Sequence, residues 1–162
     1  ATLLGSGTIL REVLAAAELL ETRFKVAADV YSITSFSELR RAALACERWN
    51  LLHPAEPPRV SYLQELLAGQ NSPTVAATDY MRMVPDQIRQ WVPGPYVTLG
   101  TDGFGRSDAR APLRRHFEVD RNFIALAALK SLADAGAIDR SVVAEAVGAL
   151  GIDPAKPDPF SS

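Results

Sequence analysis

The sequence predicts an α/β fold with a mainly parallel sheet. Three observations carry this. Short β-prone runs alternate with segments of helical periodicity from Thr2 to Ala149. Two of those runs end in glycine-rich turns that lead into helices, at Gly5-Ser6-Gly7 and at Gly100-Thr101-Asp102-Gly103-Phe104-Gly105. Such a domain builds the carboxyl edge of its sheet from turns of this kind. The run Val26–Ile33 is mostly apolar, as a strand covered on both faces should be.

Thr2–Leu4 is the first short apolar run, and Gly5–Gly7 turns it into a helix. Ile9, Val13, Ala16, Ala17, Leu20 and Phe24 then recur on one helical face. After Val26–Ile33, Ser35 and Glu38 have capping-box spacing and start a second helix that runs to about His53. Pro54, Pro57 and Pro58 stop it. A short helix around Tyr62–Leu67 precedes a third strand, Thr74–Thr78. Pro85–Val92 is expected to be helical, with Pro85 suited to a first turn. Tyr96–Gly100 is the fourth strand. The helical pattern beyond it has Ser107 or Asp108 placed to cap it. Two helices, near 120–135 and 139–149, close the domain at about residue 153. Residues 154–162, with Pro154, Pro157 and Pro159, are expected to form a loose tail.

One helix stands apart. Phe123-Ile124-Ala125-Leu126-Ala127-Ala128-Leu129 is apolar on every face, so it needs cover on both sides. The second cover is either the last helix of this domain or a neighbouring domain or subunit.

Composition limits the function classes. The 162 residues suit one domain, and 48% apolar with 22% charged residues is ordinary for a globular chain. A net charge of −2 offers no basic field for nucleic acid or an anionic membrane surface. No apolar stretch approaches the ~18 residues of a bilayer span. The single Cys46 cannot form an internal disulfide, which fits a reducing, cytoplasmic setting. The chain opens on a strand without Met and reads as a piece of a longer polypeptide.

Candidate chemistry is sparse. Gly5-Ser6-Gly7-Thr8-Ile9-Leu10 begins like a dinucleotide fingerprint, but Leu10 stands where the third glycine belongs. Asp29 is placed early in the second strand, whereas a ribose carboxylate belongs at a strand's carboxyl end. Asp102-Gly103 resembles the start of a Gly-Asp-Gly motif for thiamine diphosphate and Mg²⁺. Thr101 replaces its first glycine, and residues 126–133 contain no partner Asn. Cys46 and His53 are separated by about 10 Å of helical rise, too far for a nucleophile and its base. Two histidines and one cysteine cannot make a structural zinc site alone. His53 and His116 read as helix-end or interface residues, and Trp49 and Trp91 as packing anchors. No catalytic, cofactor-binding or metal-binding residue is assigned on these grounds.

Several blocks together do carry a resemblance. They are Gly5 to Arg11, Asp29 to Leu39, Glu47 to Pro54, Thr78 to Met81, Leu99 to Asp108 and Leu113 to Asp120. In this order and spacing residues 1–153 resemble the C-terminal domain of the bacterial homodimeric pyruvate dehydrogenases. These are the thiamine-dependent first components of the pyruvate dehydrogenase complex, within the transketolase superfamily. The resemblance implies a three-layer α/β/α sandwich with a mixed sheet and a structural role in dimer assembly. It also implies a parent enzyme that decarboxylates pyruvate on thiamine diphosphate with Mg²⁺ and acetylates the lipoyl group of a dihydrolipoamide acetyltransferase. The cofactor would be held by domains preceding residue 1, so no catalytic residue transfers to this chain. Family members begin this domain with an extra antiparallel edge strand. Only four strand signals are present here, so the chain is expected to start past it.

Two other readings remain. One is the third domain of a transketolase or a deoxyxylulose-phosphate synthase. The other is a free-standing module binding a nucleotide or anion at Gly5–Gly7. For the turn Asp102, Gly103, Phe104, Gly105, Arg106 and Ser107, the expectation is a rigid structural element. Gly103 or Gly105 should have positive φ, Phe104 should be tucked beneath the turn, and Asp102 should accept backbone or Ser107 hydrogen bonds. Arg106 should pair with a carboxylate or reach a neighbouring domain.

Overall fold

A computed structural model describes residues 1–161. Its four strands are β1 (Thr2–Gly5), β2 (Asp29–Ser32), β3 (Thr74–Ala77) and β4 (Tyr96–Leu99). They form one sheet in the order β2-β1-β3-β4, and every neighbouring pair is parallel. No antiparallel strand occurs among the described residues.

Strand alternation builds the two cores. Leu3, Val75, Ala77, Val97 and Leu99 face one side, where α1 (Leu10–Phe24), α6 (Arg121–Asp134) and α7 (Arg140–Ala149) pack. Leu4, Ala76 and Tyr96 face the other. There α2 (Phe36–Leu52), α3 (Tyr62–Leu66) and the segment carrying Ile88 and Trp91 cover them. This is a three-layer sandwich, and α5 (Arg110–His116) follows β4 at its carboxyl edge.

The apolar-all-round helix is α6. The sheet, α1 and α7 surround it within this chain, which decides the question of its second cover in favour of the last helix. Asp120 and Asp139 cap α6 and α7 by accepting from the first-turn amides. Ser35 accepts from the Glu38 amide as its spacing predicts, while the Glu38 side chain pairs with Arg41 instead of closing the box. A complete capping box forms at Ser61 and Gln64, a pair the sequence reading passed over.

Three expectations need correction. The helix expected over 85–92 divides into α4 (Met83–Asp86) and a 3₁₀ turn, Arg89–Trp91. The Pro85 carbonyl accepts the Ile88 amide at 3.3 Å, the i+3 bond of a tightened turn, and also accepts the buried Tyr96 hydroxyl at 2.9 Å. Strand β2 is shorter than Val26–Ile33, because only Asp29–Ser32 lie alongside β1. Neither Ser107 nor Asp108 caps α5. Its N-cap is Ala109, whose amide is taken by Asp108 Oδ1 at 2.6 Å.

The Pro-rich end makes contacts the sequence did not signal. Lys156 Nζ donates to the His116 carbonyl at 2.8 Å and to Glu118 Oε1 at 3.0 Å. Pro159 lies directly against Gly103. Among the described residues no helix is long and apolar enough to cross a membrane.

Candidate functional site

The parallel sheet puts the exits of β1, β3 and β4 at one edge. In chain order β1 leads outward to β2, and β3 leads outward to β4 on the other side. The crevice between β1 and β3 is therefore the switch point at which α/β domains receive ligands.

Polar side chains tie this crevice shut. Ser6 Oγ donates to Thr78 Oγ1 at 2.8 Å, and Thr78 Oγ1 also accepts from the Tyr80 amide at 3.2 Å. Thr8 Oγ1 donates to Asp79 Oδ2 at 3.2 Å. Gly7 has φ of 55°, and a Cβ there would stand 3.1 Å from Asp79 Oδ1. A phosphate approaching this turn would meet a carboxylate. That electrostatic conflict removes the support for a nucleotide or anion site at Gly5–Gly7. Asp29 is the first residue of β2, at the opposite edge of the sheet from the crevice.

The exit of β4 is bound to the exit of β3. The Thr101 amide donates to the Tyr80 carbonyl at 2.9 Å, and Thr101 Oγ1 donates to the Asp79 carbonyl at 2.8 Å. Asp102 Oδ2 accepts from the Arg82 amide at 3.0 Å and lies 3.4 Å from Arg82 Nε. Gly103 has φ of 111°, so the expected left-handed residue is there and not at Gly105. Asp102 takes its backbone donor from the β3 exit, and Ser107 gives it none.

Phe104 is 76% exposed, so the expectation that it tucks beneath the turn is wrong. The chain of Pro159 and Phe160 lies against the neighbouring Gly103. Arg106 has no ion pair within the described residues, so the expected carboxylate partner is not found there.

On the α5 side of these exits lies a cleft of about 370 Å³. Ile9, Leu113, Phe117 and Val119 give it apolar walls, and Arg106, Arg110 and Arg114 give it guanidinium groups. Arg114 is committed elsewhere. It donates to Glu12 Oε1 at 2.9 Å, while Arg121 holds Glu12 Oε2 through both its amide (3.1 Å) and Nε (3.0 Å). Glu12 is 6% exposed, and this clasp joins α1 to α5 and α6. Burial alone would raise its carboxyl pKa, but the hydrogen bonds and charges of Arg121 and Arg114 prevail and hold it below the usual range. Sequence reasoning missed Glu12. The available signal was a carboxylate three residues after Ile9, on the edge of the apolar stripe.

Beyond the cleft's wall, burial lowers the pKa of His116, and the charges of Arg106 and Lys156 lower it further against the opposing pull of Glu118. His116 Nε2 has no hydrogen-bond partner among the described residues. His53 stacks on Trp49 with ring centroids 4.4 Å apart, and the Arg59 guanidinium lies 4.0 Å from the same indole. Cys46 is a free, half-buried thiol on α2. Trp91 is buried and donates to Glu47 Oε1 at 2.7 Å.

The residues present do not fit thiamine diphosphate with Mg²⁺. Asp102 is the one motif carboxylate available, and the Arg82 amide already engages it. A divalent ion requires several converging oxygens, and no cluster of three His, Cys, Asp or Glu side chains occurs among the described residues.

Comparison with known proteins places this architecture. The chain is 59% identical to the pyruvate dehydrogenase E1 component of Pseudomonas aeruginosa over 159 residues, 98% of this chain and 18% of that protein. It is 52% identical to the pyruvate dehydrogenase E1 component of Escherichia coli K12 over 158 residues, again 18% of the relative's length. The chain thus spans about a fifth of the curated relatives it matches. Among solved structures, a split-gene transketolase described as an inactive β4 tetramer aligns with a TM-score of 0.59. That alignment covers 82% of this chain and 39% of the other at 18% identity, a likeness of fold. The transketolase-like TK C-terminal domain model matches residues 1–120, and the chain belongs to that family.

Proposed function

We propose that residues 1–153 are the C-terminal domain of a thiamine-dependent pyruvate dehydrogenase first component. In this reading the domain assembles and supports the enzyme and supplies no catalytic residue. The parent enzyme would bind thiamine diphosphate and Mg²⁺ in other domains, decarboxylate pyruvate, and pass the acetyl group to the lipoyl arm of a dihydrolipoamide acetyltransferase. It would work as a cytoplasmic homodimer. The observation that carries the reading is the identity of 59% across 98% of the chain. Two features support it. The carboxyl-edge polar groups are engaged with one another, as in a frame, and Asp102 and Gly103 anchor the turn that ends at Ser107. Tyr80, Met81, Met83 and Phe104 stand exposed on the two joined exits, an apolar surface suited to packing against further domains.

The test is a graft. The corresponding region of the Pseudomonas aeruginosa enzyme is replaced by this chain, and pyruvate decarboxylation and dimerisation are measured. Activity is expected in the graft and not in a version lacking the region. A folded, dimeric graft without activity would overturn the assignment. Calorimetry of this chain with thiamine diphosphate and Mg²⁺ should give no saturable heat, and a stoichiometric isotherm would contradict the purely supporting role.

A further inference from the structure

We infer that the cleft between the β1 exit and α5 binds a small organic anion, a carboxylate or phosphate monoester carried on an apolar body. The inference stands apart from the assignment above and gives Arg106 a role that the supporting frame does not require.

The charge arrangement comes first. Of the arginines on and next to α5, Arg114 and Arg121 share the single carboxylate of Glu12, and Arg115 pairs with Asp120. Arg106 and Arg110 form no ion pair among the described residues, yet both line the cleft. A guanidinium fork recognises a carboxylate or a phosphate, and two of them line this cleft. Asp79 is the only carboxylate lining the cleft, and it belongs to the Thr8 side, where Thr8 holds it. The cleft therefore has a polarity, with its cationic wall on the Arg106–Arg110 segment.

The walls and the volume narrow the ligand class. The partly exposed Leu113, with what the mostly buried Ile9, Phe117 and Val119 show along the lining, leaves a small apolar surface that a bare inorganic ion does not use. A neutral hydrophobe of the same shape would strip water from two guanidinium groups without replacing it. A volume of about 370 Å³ is at the small end of ligand pockets and suits a compact molecule, not a polymer. The site also sits outside the carboxyl ends of parallel strands, where ligands of α/β domains collect.

The geometry supplies its own reporter. The positive charge of Arg106 helps hold down the His116 pKa, together with burial and Lys156, while Glu118 opposes. An anion seated against Arg106 must offset that charge and move the His116 titration upward.

The test uses the whole chain with 2-naphthoate, phenyl phosphate, 2-naphthalenemethanol and inorganic phosphate, followed by calorimetry and by NMR of the two histidines. Both organic anions should saturate one site, at least tenfold more tightly than the neutral alcohol or inorganic phosphate. The tighter of the two names the preferred head group. His116 should titrate higher in their presence. The double variant Arg106→Gln/Arg110→Gln should lose at least tenfold in affinity for the anions at an unchanged melting midpoint. Arg11→Gln, outside this cleft, should bind like the parent chain. Equal binding of the alcohol, equal binding of inorganic phosphate, unaltered binding by the folded double variant, or no saturation up to about 10 mM would each overturn the proposal.

Discussion

The turns that follow β1 and β4 occupy the same edge of the sheet and both use glycine, yet they are built on opposite plans. The first is closed by side chains. Ser6 meets Thr78, Thr8 meets Asp79, and the space beside Gly5 is filled by Leu10 and Val13. The second is closed by backbone at its start and open at its end. A Cβ on Gly100 would stand 2.6 Å from both the Tyr80 carbonyl oxygen and the Arg82 amide nitrogen, and Gly103 abuts Pro159. Gly105 has nothing within 4 Å. What a glycine does is set by the atoms that occupy the place of its missing side chain, and the sequence motif does not show those atoms.

The largest effect should come from Gly100→Ala. Its methyl group would drive two hydrogen-bonded exits apart against backbone that cannot rotate away. The expected loss is about 3 kcal/mol, read as a fall in the denaturation midpoint. A variant as stable as the parent would mean that the joining of the β3 and β4 exits contributes little, and the contrast between the two turns would collapse.

Next in size is the clasp that couples the helices leaving the two turns. Glu12 on α1 holds Arg114 on α5 and Arg121 on α6. Glu12→Gln would leave the mostly buried Arg114 without its counter-charge, while Arg121 is half exposed and can be solvated. We expect a loss of about 2 kcal/mol, below the full cost of breaking a buried pair. The pH dependence has a definite sign. The folded-state pKa of Glu12 is depressed below its usual 4.5. Its stabilisation is therefore present above that value and is lost as pH falls through the lower, folded pKa. Thermal melts from about pH 7 to pH 3 should show an acid loss that Glu12→Gln reduces. Parallel acid curves for the two proteins would place the clasp outside the stability balance.

Asp102→Ala should cost less, about 1–2 kcal/mol, because it leaves the Arg82 amide without its acceptor. Asp102→Asn keeps an acceptor oxygen and should recover part of the loss. An unchanged melting midpoint, together with lost activity when the same change is made in the longer enzyme, would make the turn functional and not structural.

These residues also show where sequence reading succeeds and where it stops. Four strands and the long helices were legible because they rest on local patterns. Ile9, Val13, Ala16 and Leu20 repeat at helical spacing and are all buried on one face. Proline and cap residues marked most ends. The division of the 85–92 helix was not legible, since the Tyr96 hydroxyl that shares the Pro85 carbonyl with the Ile88 amide comes from another element. Phe104 misled for a related reason. An aromatic between two glycines suggests burial, but Phe104 is exposed, and whether a turn has room beneath it is decided by other elements. The cleft was hidden as well. Arg106 and Arg110 differ from Arg114 and Arg115 in having no ion pair among the described residues, and ion pairing is a tertiary fact.

The smallest predicted effect is the sharpest check on the comparison. Gly105 sits in the motif as prominently as Gly103 and was an equal candidate for positive φ, yet only Gly103 adopts it. Nothing approaches the position a Gly105 side chain would take. Gly105→Ala should therefore change stability by no more than about 0.5 kcal/mol, the range of ordinary surface substitutions. A small gain is plausible physically, because alanine restricts the unfolded chain more than glycine does. Gly103→Ala, made in parallel, should destabilise by clear contrast, since it must relieve both a left-handed backbone and contact with Pro159. Equal losses in the two variants would show that the whole turn is rigid from Asp102 to Ser107. Unequal losses would confine the rigidity to its first two residues and leave Arg106 free to move over the cleft.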